Sequence, residues 1–342
     1  MEQPGTLTPE RGGGRGLDAL VAVADRLGPL LGLVVVTTFF ALTAKTFLTW
    51  PNGLNIGVQT AVFAILAVGE TFVLISAGVD LSVGATAALS GVVAATMLAT
   101  GSDPAAAALA ALAAAAGIGL LNGLVSAYGR IAPFIVTLGT MLIGRGLALH
   151  ISGDRNVNYT CESFKTWFGG AFLNVTDTST PVPTEVPLIR VPIIIMVAAA
   201  AIGHIVLTRT RLGRYTFAIG SNAEAARLSG VDVRKYQTAI FVLSGLLAGL
   251  AGLVLSTRIS GGSPTTADGY ELSAIAAAVI GGTSLMGGQG SIGGTVIGAL
   301  LIGVVANGLD MRGALPYWQK IATGSIIVLA VFLDRLRRQR RG

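Results

Sequence analysis

LSAIAAAVIGGTSLMGGQGSIGGTVIGALLIGVVANGL, Leu272–Leu309, runs for 38 residues without an Asp, Glu, Lys or Arg. As a single helix it would be about 57 Å long at 1.5 Å per residue. A bilayer core is only roughly 30 Å thick. The stretch is therefore expected to enter a membrane, turn in its glycine-rich centre GGTSLMGGQGSIGG (Gly281–Gly294), and return. Other uncharged stretches flank it at a distance: Leu81–Ser102, Pro104–Gly129 and Tyr236–Thr257. A spanning helix needs roughly 20 apolar residues, so each can cross once. The whole chain is 52% hydrophobic and 12% charged, with mean hydropathy +0.74. Soluble domains carry about 25% charged residues, so this is a membrane composition.

Hydropathy and length predict an all-α membrane protein with about ten transmembrane helices, some re-entrant. The expected spans are 27–44, 56–77, 81–100, 105–127, 131–151, 189–207, 238–257, 272–288, 292–310 and 316–333. Residues 1–26 read as a flexible tail, 27–334 as one polytopic domain, and 335–342 as a basic tail. The run 27–44 is too long for the apolar core of a cleavable signal peptide and reads as a first anchor. Basic residues gather on the cytoplasmic side of membrane proteins. Six lie in the charged island 208–236 (Arg209, Arg211, Arg214, Arg227, Arg234, Lys235) and five in the C-terminal tail. The loop 152–188 has only Arg155 and Lys165. An even number of crossings puts both termini and the island in the cytoplasm and the 152–188 loop outside. Glycine pairs at helix-packing spacing, Gly119/Gly123, Gly245/Gly249 and Gly294/Gly298, suit close helix contacts in lipid.

The motifs exclude more than they include. The basic balance follows from membrane sidedness, and no soluble basic domain is present to bind nucleic acid. No Lys follows a Gly, so no Walker A loop exists and nucleotide hydrolysis by that route is excluded. Gly288–Gly293 matches G-x-G-x-x-G, but with no preceding strand it reads as a close turn between helices rather than a dinucleotide site. His150 and His204 are isolated, Cys161 is the single cysteine, and no metal-ligand or nucleophile–base set stands out. No metal or cofactor is expected.

Glu70 lies inside the second expected span. Acids within membranes are costly and suggest a function by default, with a bond to a neighbouring helix as the structural alternative and Arg145 as a candidate partner. Asp80 is expected at a helix end, capping the next helix. In the island, SNAEAARLSGVD reads as a short helix over Ala223–Ser229, capped by Ser221 or Asn222, favoured by Glu224 in its first turn, and ended by Gly230. So short a helix is unstable alone and is expected to rest on other helix ends or on a partner.

Four segments carry a resemblance. AGVDLSVGA (Ala77–Ala85), TLGTMLIGRGLAL (Thr137–Leu149), TRLGRYTFAIGSNAEAARLSGV (Thr210–Val231) and Gly269–Gly303 resemble, in order, the membrane permease of ribose-type bacterial ABC sugar importers. The resemblance covers roughly residues 45–333. It implies a subunit of the bacterial inner membrane that moves a monosaccharide or related polyol by alternating access, without chemistry on the solute. It also implies a cytoplasmic ATP-binding subunit, a periplasmic solute-binding protein, and a second permease copy in the membrane. By resemblance, Gly220–Gly230 is the helix that docks on the ATPase. Arg211, Gly213, Gly220, Asn222, Glu224, Ala225, Arg227 and Gly230 are its candidate coupling residues. Glu70, Asp80, Gly281, Gly282, Gly288 and Gly290 are candidates for the translocation path. Two other readings stay open: a permease for branched-chain amino acids or nucleosides, and an ion-coupled secondary transporter using Glu70.

Overall fold

The structure is a computed structural model that describes residues 15–177 and 184–339. The chain forms twelve helices and four short strands among these residues. In order they are α1 (Arg15–Thr43), α2 (Trp50–Ile75), α3 (Val83–Ala99), α4 (Pro104–Gly129), α5 (Pro133–Ser152), β1 (Val157–Asn158), α6 (Glu162–Phe168), β2 (Ala171–Asp177), β3 (Thr184–Arg190), α7 (Val191–Arg209), α8 (Arg211–Leu228), α9 (Val233–Arg258), β4 (Gly261–Gly262), α10 (Tyr270–Ile280), α11 (Ile292–Met311) and α12 (Pro316–Gln339). Among the described residues, six helices are long and apolar enough to cross a bilayer: α2, α4, α5, α7, α9 and α11. Shorter apolar helices include α3 and α10.

Each expected span coincides with a helix, with three differences. The first helix begins at Arg15 rather than at residue 27, so part of the segment read as a flexible tail is helical. The span expected over 272–288 holds only the eleven-residue α10, which stops at Ile280 because Gly282 then takes φ +93. The 152–188 segment is also not plain loop. It carries α6 and an antiparallel β2–β3 hairpin, while β1 pairs with β4 after α9.

Local sequence explains the long helices. Pro occupies the first turn of α2, α4, α5 and α7, where its missing N–H costs nothing. The Asp103 carboxylate accepts from the N–H groups of Ala105 and Ala106 and caps α4. The helices then approach closely through the glycine pairs. A Cβ on Gly119 would sit 2.3 Å from the Phe241 carbonyl oxygen, and one on Gly245 would sit 2.6 Å from that of Ala115. Gly294 meets the carbonyl of Gly281, just past α10, and Gly298 that of Ala277 within it, in the same way. All three pairs read from spacing are helix contacts.

The core is built on α2 and α9, which run antiparallel. Phe72, Val73 and Ile75 of α2 pack on Ile240 and Phe241 near the start of α9, and Ala61–Ala67 pack toward Val254 and Leu255 near its end. Each of these 26-residue helices leads into an irregular segment and then a shorter helix. The segment just before α3 reads Gly78-Val79-Asp80-Leu81-Ser82, and the cap and first turn of α10 read Gly269-Tyr270-Glu271-Leu272-Ser273. Both fit G-x-[D/E]-L-S, and both approaches contain non-glycine residues at positive φ, Ala77 (φ 62) and Ala267 (φ 59).

The starts of α3 and α10 meet. Gly84, in the first turn of α3, leaves room only for the Glu271 carboxyl and the Ala267 carbonyl. From there the two helices diverge. The far end of α3 (Ala94, Ala95, Leu98) packs under Tyr159 and Phe164 of the 152–188 loop, while Ala278 and Val279 of α10 reach Leu74 at the end of α2. Two halves of the chain thus use one device in opposite directions. No repeat is evident from reading the sequence, because only this five-residue signature is shared.

Candidate functional site

The island is helical throughout α8 but broken at Asn222, whose backbone (φ −163, ψ 100) is extended. The expected short helix lies beyond that break, and a longer one over Arg211–Ser221 precedes it. Of the two candidate caps, Asn222 is the one used: its Oδ1 accepts from the Ala225 N–H at 2.9 Å. Gly230 (φ 85) ends the helix, its N–H bonding the Arg227 carbonyl while the Val231 N–H reaches Ala226. This is a Schellman turn, and it needs a residue tolerant of positive φ. Glu224 and Arg227 pair side by side with both side chains exposed, 65% and 63%. The hydrogen bond from Arg227 holds the Glu224 carboxyl below the usual carboxylate range. Ala225 and Arg227 are on this short helix, with Ala225 exposed and Ala226 turned inward.

The part of the island before the break is seated on the helices. Gly213 lies against the Leu207 carbonyl, where no side chain would fit. Arg211 is exposed at the start of α8. Gly220 is the tightest point: a Cβ there would fall 1.7 Å from the Ile75 carbonyl oxygen and 2.7 Å from the Gly288 nitrogen. That same Ile75 carbonyl accepts a hydrogen bond from the Gly288 N–H at 2.8 Å. Gly287 (φ 84) would press on Ala77 and the Gly220 carbonyl if it carried a Cβ, and Gly288 (φ 72) would press on Ser221. Three segments therefore share one backbone junction: the island, the end of α2, and the turn between α10 and α11. The sequence separates a coupling group (Gly220) from a path group (Gly288), and the fold joins them. Ile75 and Ala77, which hold the junction, stand out by no residue-type signal.

The remaining path candidates fall around this junction. Gly281 has the Gly294 backbone against it, Gly290 lies under Ile75 and Thr283, and Gly282 faces open space. The G-x-G-x-x-G stretch is a helix-to-helix turn, whose Ser291 accepts from the Gly294 N–H to cap α11.

Glu70 and Asp80 are brought together. Both are fully buried. The Asp80 N–H donates to Glu70 Oε1 at 3.1 Å, while Glu70 Oε2 has no hydrogen-bond partner. Asp80 Oδ1 accepts from the N–H (2.9 Å) and hydroxyl (2.6 Å) of Ser82, and Oδ2 accepts from the Ser244 hydroxyl at 3.0 Å. The Asn122 amide donates onward to Ser82, and the Thr140 hydroxyl donates to Asn122. Asp80 is thus more than a helix cap: it ties α2, α3 and α9, and through Ser82 and Asn122 also α4 and α5. Buried carboxylates need this much satisfaction, because an unpaired buried polar group costs about 1–3 kcal/mol. The Arg145–Glu70 pairing does not exist. Arg145 Nη1 donates instead to the carbonyls of Pro264 (2.6 Å) and Thr266 (2.8 Å), fixing the segment that leads into α10.

Comparison with known proteins settles the class. A family described as "Branched-chain amino acid transport system / permease component" matches residues 52–331. The chain belongs to this permease family. It is 40% identical to the ribose import permease of Bacillus subtilis (strain 168), over 92% of this chain and 94% of that one. It is 38% identical to the D-allose transport permease of Escherichia coli (strain K12), over 91% and 92%. The xylose transport permease of the same strain is 33% identical, over 97% and 96%. No solved structure matches the chain significantly. This permease is accordingly a multi-pass membrane subunit of an ABC importer.

Proposed function

We propose that this permease carries a monosaccharide or related polyol inward, powered by ATP hydrolysis on a separate cytoplasmic subunit. The observation that carries the reading is full-length similarity to permeases named for three different monosaccharides. All ten helices α1–α5, α7 and α9–α12 cross the bilayer, α3 and α10 as short helices completed by irregular segments. Both termini and the island then face the cytoplasm, in keeping with the basic residues. The 152–188 segment, with its β2–β3 hairpin, receives a periplasmic binding protein, and two permease copies pair in the membrane.

The short helix after Asn222 docks on the ATPase through Glu224, Ala225 and Arg227, with Gly230 and Arg211 at its margins. Gly213 and Gly220 seat the island so that its movement reaches Ile75 and Gly288. Glu70 and Asp80, next to that junction, respond to it. Gly281, Gly282, Gly288 and Gly290 shape the turn that moves against the path.

The test is reconstitution in proteoliposomes with ATPase and binding protein, offering ribose, allose and xylose. Uptake of at least one sugar is expected, dependent on ATP. Uptake that survives ATP depletion and collapses with an uncoupler would refute the reading in favour of ion coupling. The paired exchange Glu224→Arg with Arg227→Glu keeps the two side chains able to bond each other but reverses the charges offered to a partner. It is expected to abolish uptake with membrane insertion intact. Glu70→Gln is expected to lower uptake, and unchanged uptake would remove Glu70 from the pathway.

A further inference from the structure

A cavity of about 460 Å³ opens beside the start of α10, within the roughly 300–1,000 Å³ range of small-molecule sites. At its deep end Phe63 and Tyr270 form a tilted aromatic pair, centroids 4.7 Å apart. Phe63 lies midway along the 26-residue α2, so this end is near mid-membrane. At its other end are Asp268, Gln319 and Lys320, close to the last turn of α11, where the Gln319 amide donates to Asp310. Lys320 and Asp268 pair at 3.3 Å with side chains 75% and 69% exposed. An ion pair so exposed belongs in water or at the membrane surface rather than in hydrocarbon. Glu271, the first acidic residue of α10, also borders the cavity.

These features fit one ligand chemistry. The Tyr270 ring, backed by the buried Phe63, offers an apolar surface to the C–H face of a sugar ring. The amide and carboxylates accept or donate to hydroxyls, and Asp268 and Lys320 already neutralise each other. In transporters, the starts of broken helices near mid-membrane mark solute sites.

We propose that this cavity is a monosaccharide subsite in each permease subunit, between Phe63 and Tyr270 at its floor and Gln319, Asp268 and Lys320 at its mouth. The proposal rests on the sugar-import reading and places the solute inside one protomer. A solute leaving the binding protein would enter by the mouth and rest against the aromatic floor before α10 moves.

Saturation-transfer NMR tests this on the permease in lipid nanodiscs, with D-ribose, D-allose and D-xylose as probes and L-leucine for comparison. Transfer is expected to at least one sugar and not to leucine. Loss of one hydrogen bond or of the aromatic surface should weaken it about fivefold to tenfold, so Gln319→Ala and Phe63→Ala are both expected to show this drop. If Phe63→Ala fails to insert, Phe63→Leu keeps apolar bulk without the ring and is expected to show the same loss. Signals unchanged in these variants, equal transfer to leucine, or no transfer to any sugar would each overturn the subsite. ATP-driven uptake by the complete importer is measured in parallel. Sugar uptake without the NMR result defeats only the subsite, whereas uptake of none of the three sugars defeats the import reading itself.

Discussion

The approaches to α3 and α10 share the pattern G-x-[D/E]-L-S and run in opposite directions, yet they are finished differently. At the first, Asp80 is buried and accepts three hydrogen bonds, from Ser82 twice and from Ser244. At the second, Glu271 is only half-buried and its Oε2 has no hydrogen-bond partner. Ser273 does not satisfy it, its hydroxyl turning back to the Gly269 carbonyl. Asp268 nearby is exposed beside a cavity. One approach is locked to the island-side junction and the other is open. The same short pattern thus ties several helices together at one place and borders a cavity at the other.

The comparison breaks most directly at the two acids. Asp80→Ala strands the Ser82 N–H and two hydroxyls in the interior and is expected to cost about 2–5 kcal/mol. Thermal unfolding in detergent should show a large fall in midpoint. Glu271→Ala loses a less satisfied group and is expected to cost about 1 kcal/mol or less. Equal losses at the two sites would erase the distinction between anchored and open approaches.

Gly287→Ala tests the junction that only the anchored side possesses. Its Cβ would meet Ala77 at 2.8 Å, and the backbone sits at φ 84. Crowding and left-handed strain together suggest about 2–3 kcal/mol, read as lowered uptake and a lower unfolding midpoint. The smallest effect is expected at Ala77→Gly. Ala77 ends α2 at φ 62, a position glycine fills without strain. Relief of that strain, offset by a freer unfolded chain, should leave stability within about 1 kcal/mol. A large loss would mean that the Ala77 methyl carries contacts beyond its packing against Gly287.

Much of the helical frame was legible because membrane helices are bounded by charges, prolines and length, each of which acts locally. The glycine pairs were legible for the same reason: spacing along one helix fixes which face can be approached. The short helix after Asn222 carried its own cap and stop. What stayed hidden depends on distant pairings. Arg145 was the natural partner for Glu70 by charge, but the fold spends it on the Pro264 and Thr266 carbonyls. Gly220 and Gly288 lie far apart in sequence, and nothing local reveals that they share the Ile75 carbonyl. The cavity at α10 was equally invisible, since Phe63, Tyr270 and Gln319 come from three separate helices.

The central claim is that movement of the island reaches the membrane helices through the Gly220–Ile75–Gly288 contact. It is tested most directly by Gly220→Ala in the complete importer, measuring ATP hydrolysis and sugar uptake on the same proteoliposomes. The account predicts that the partner subunit still hydrolyses ATP while uptake falls to background. Uptake at the unmodified level, with the variant folded and inserted, would contradict it.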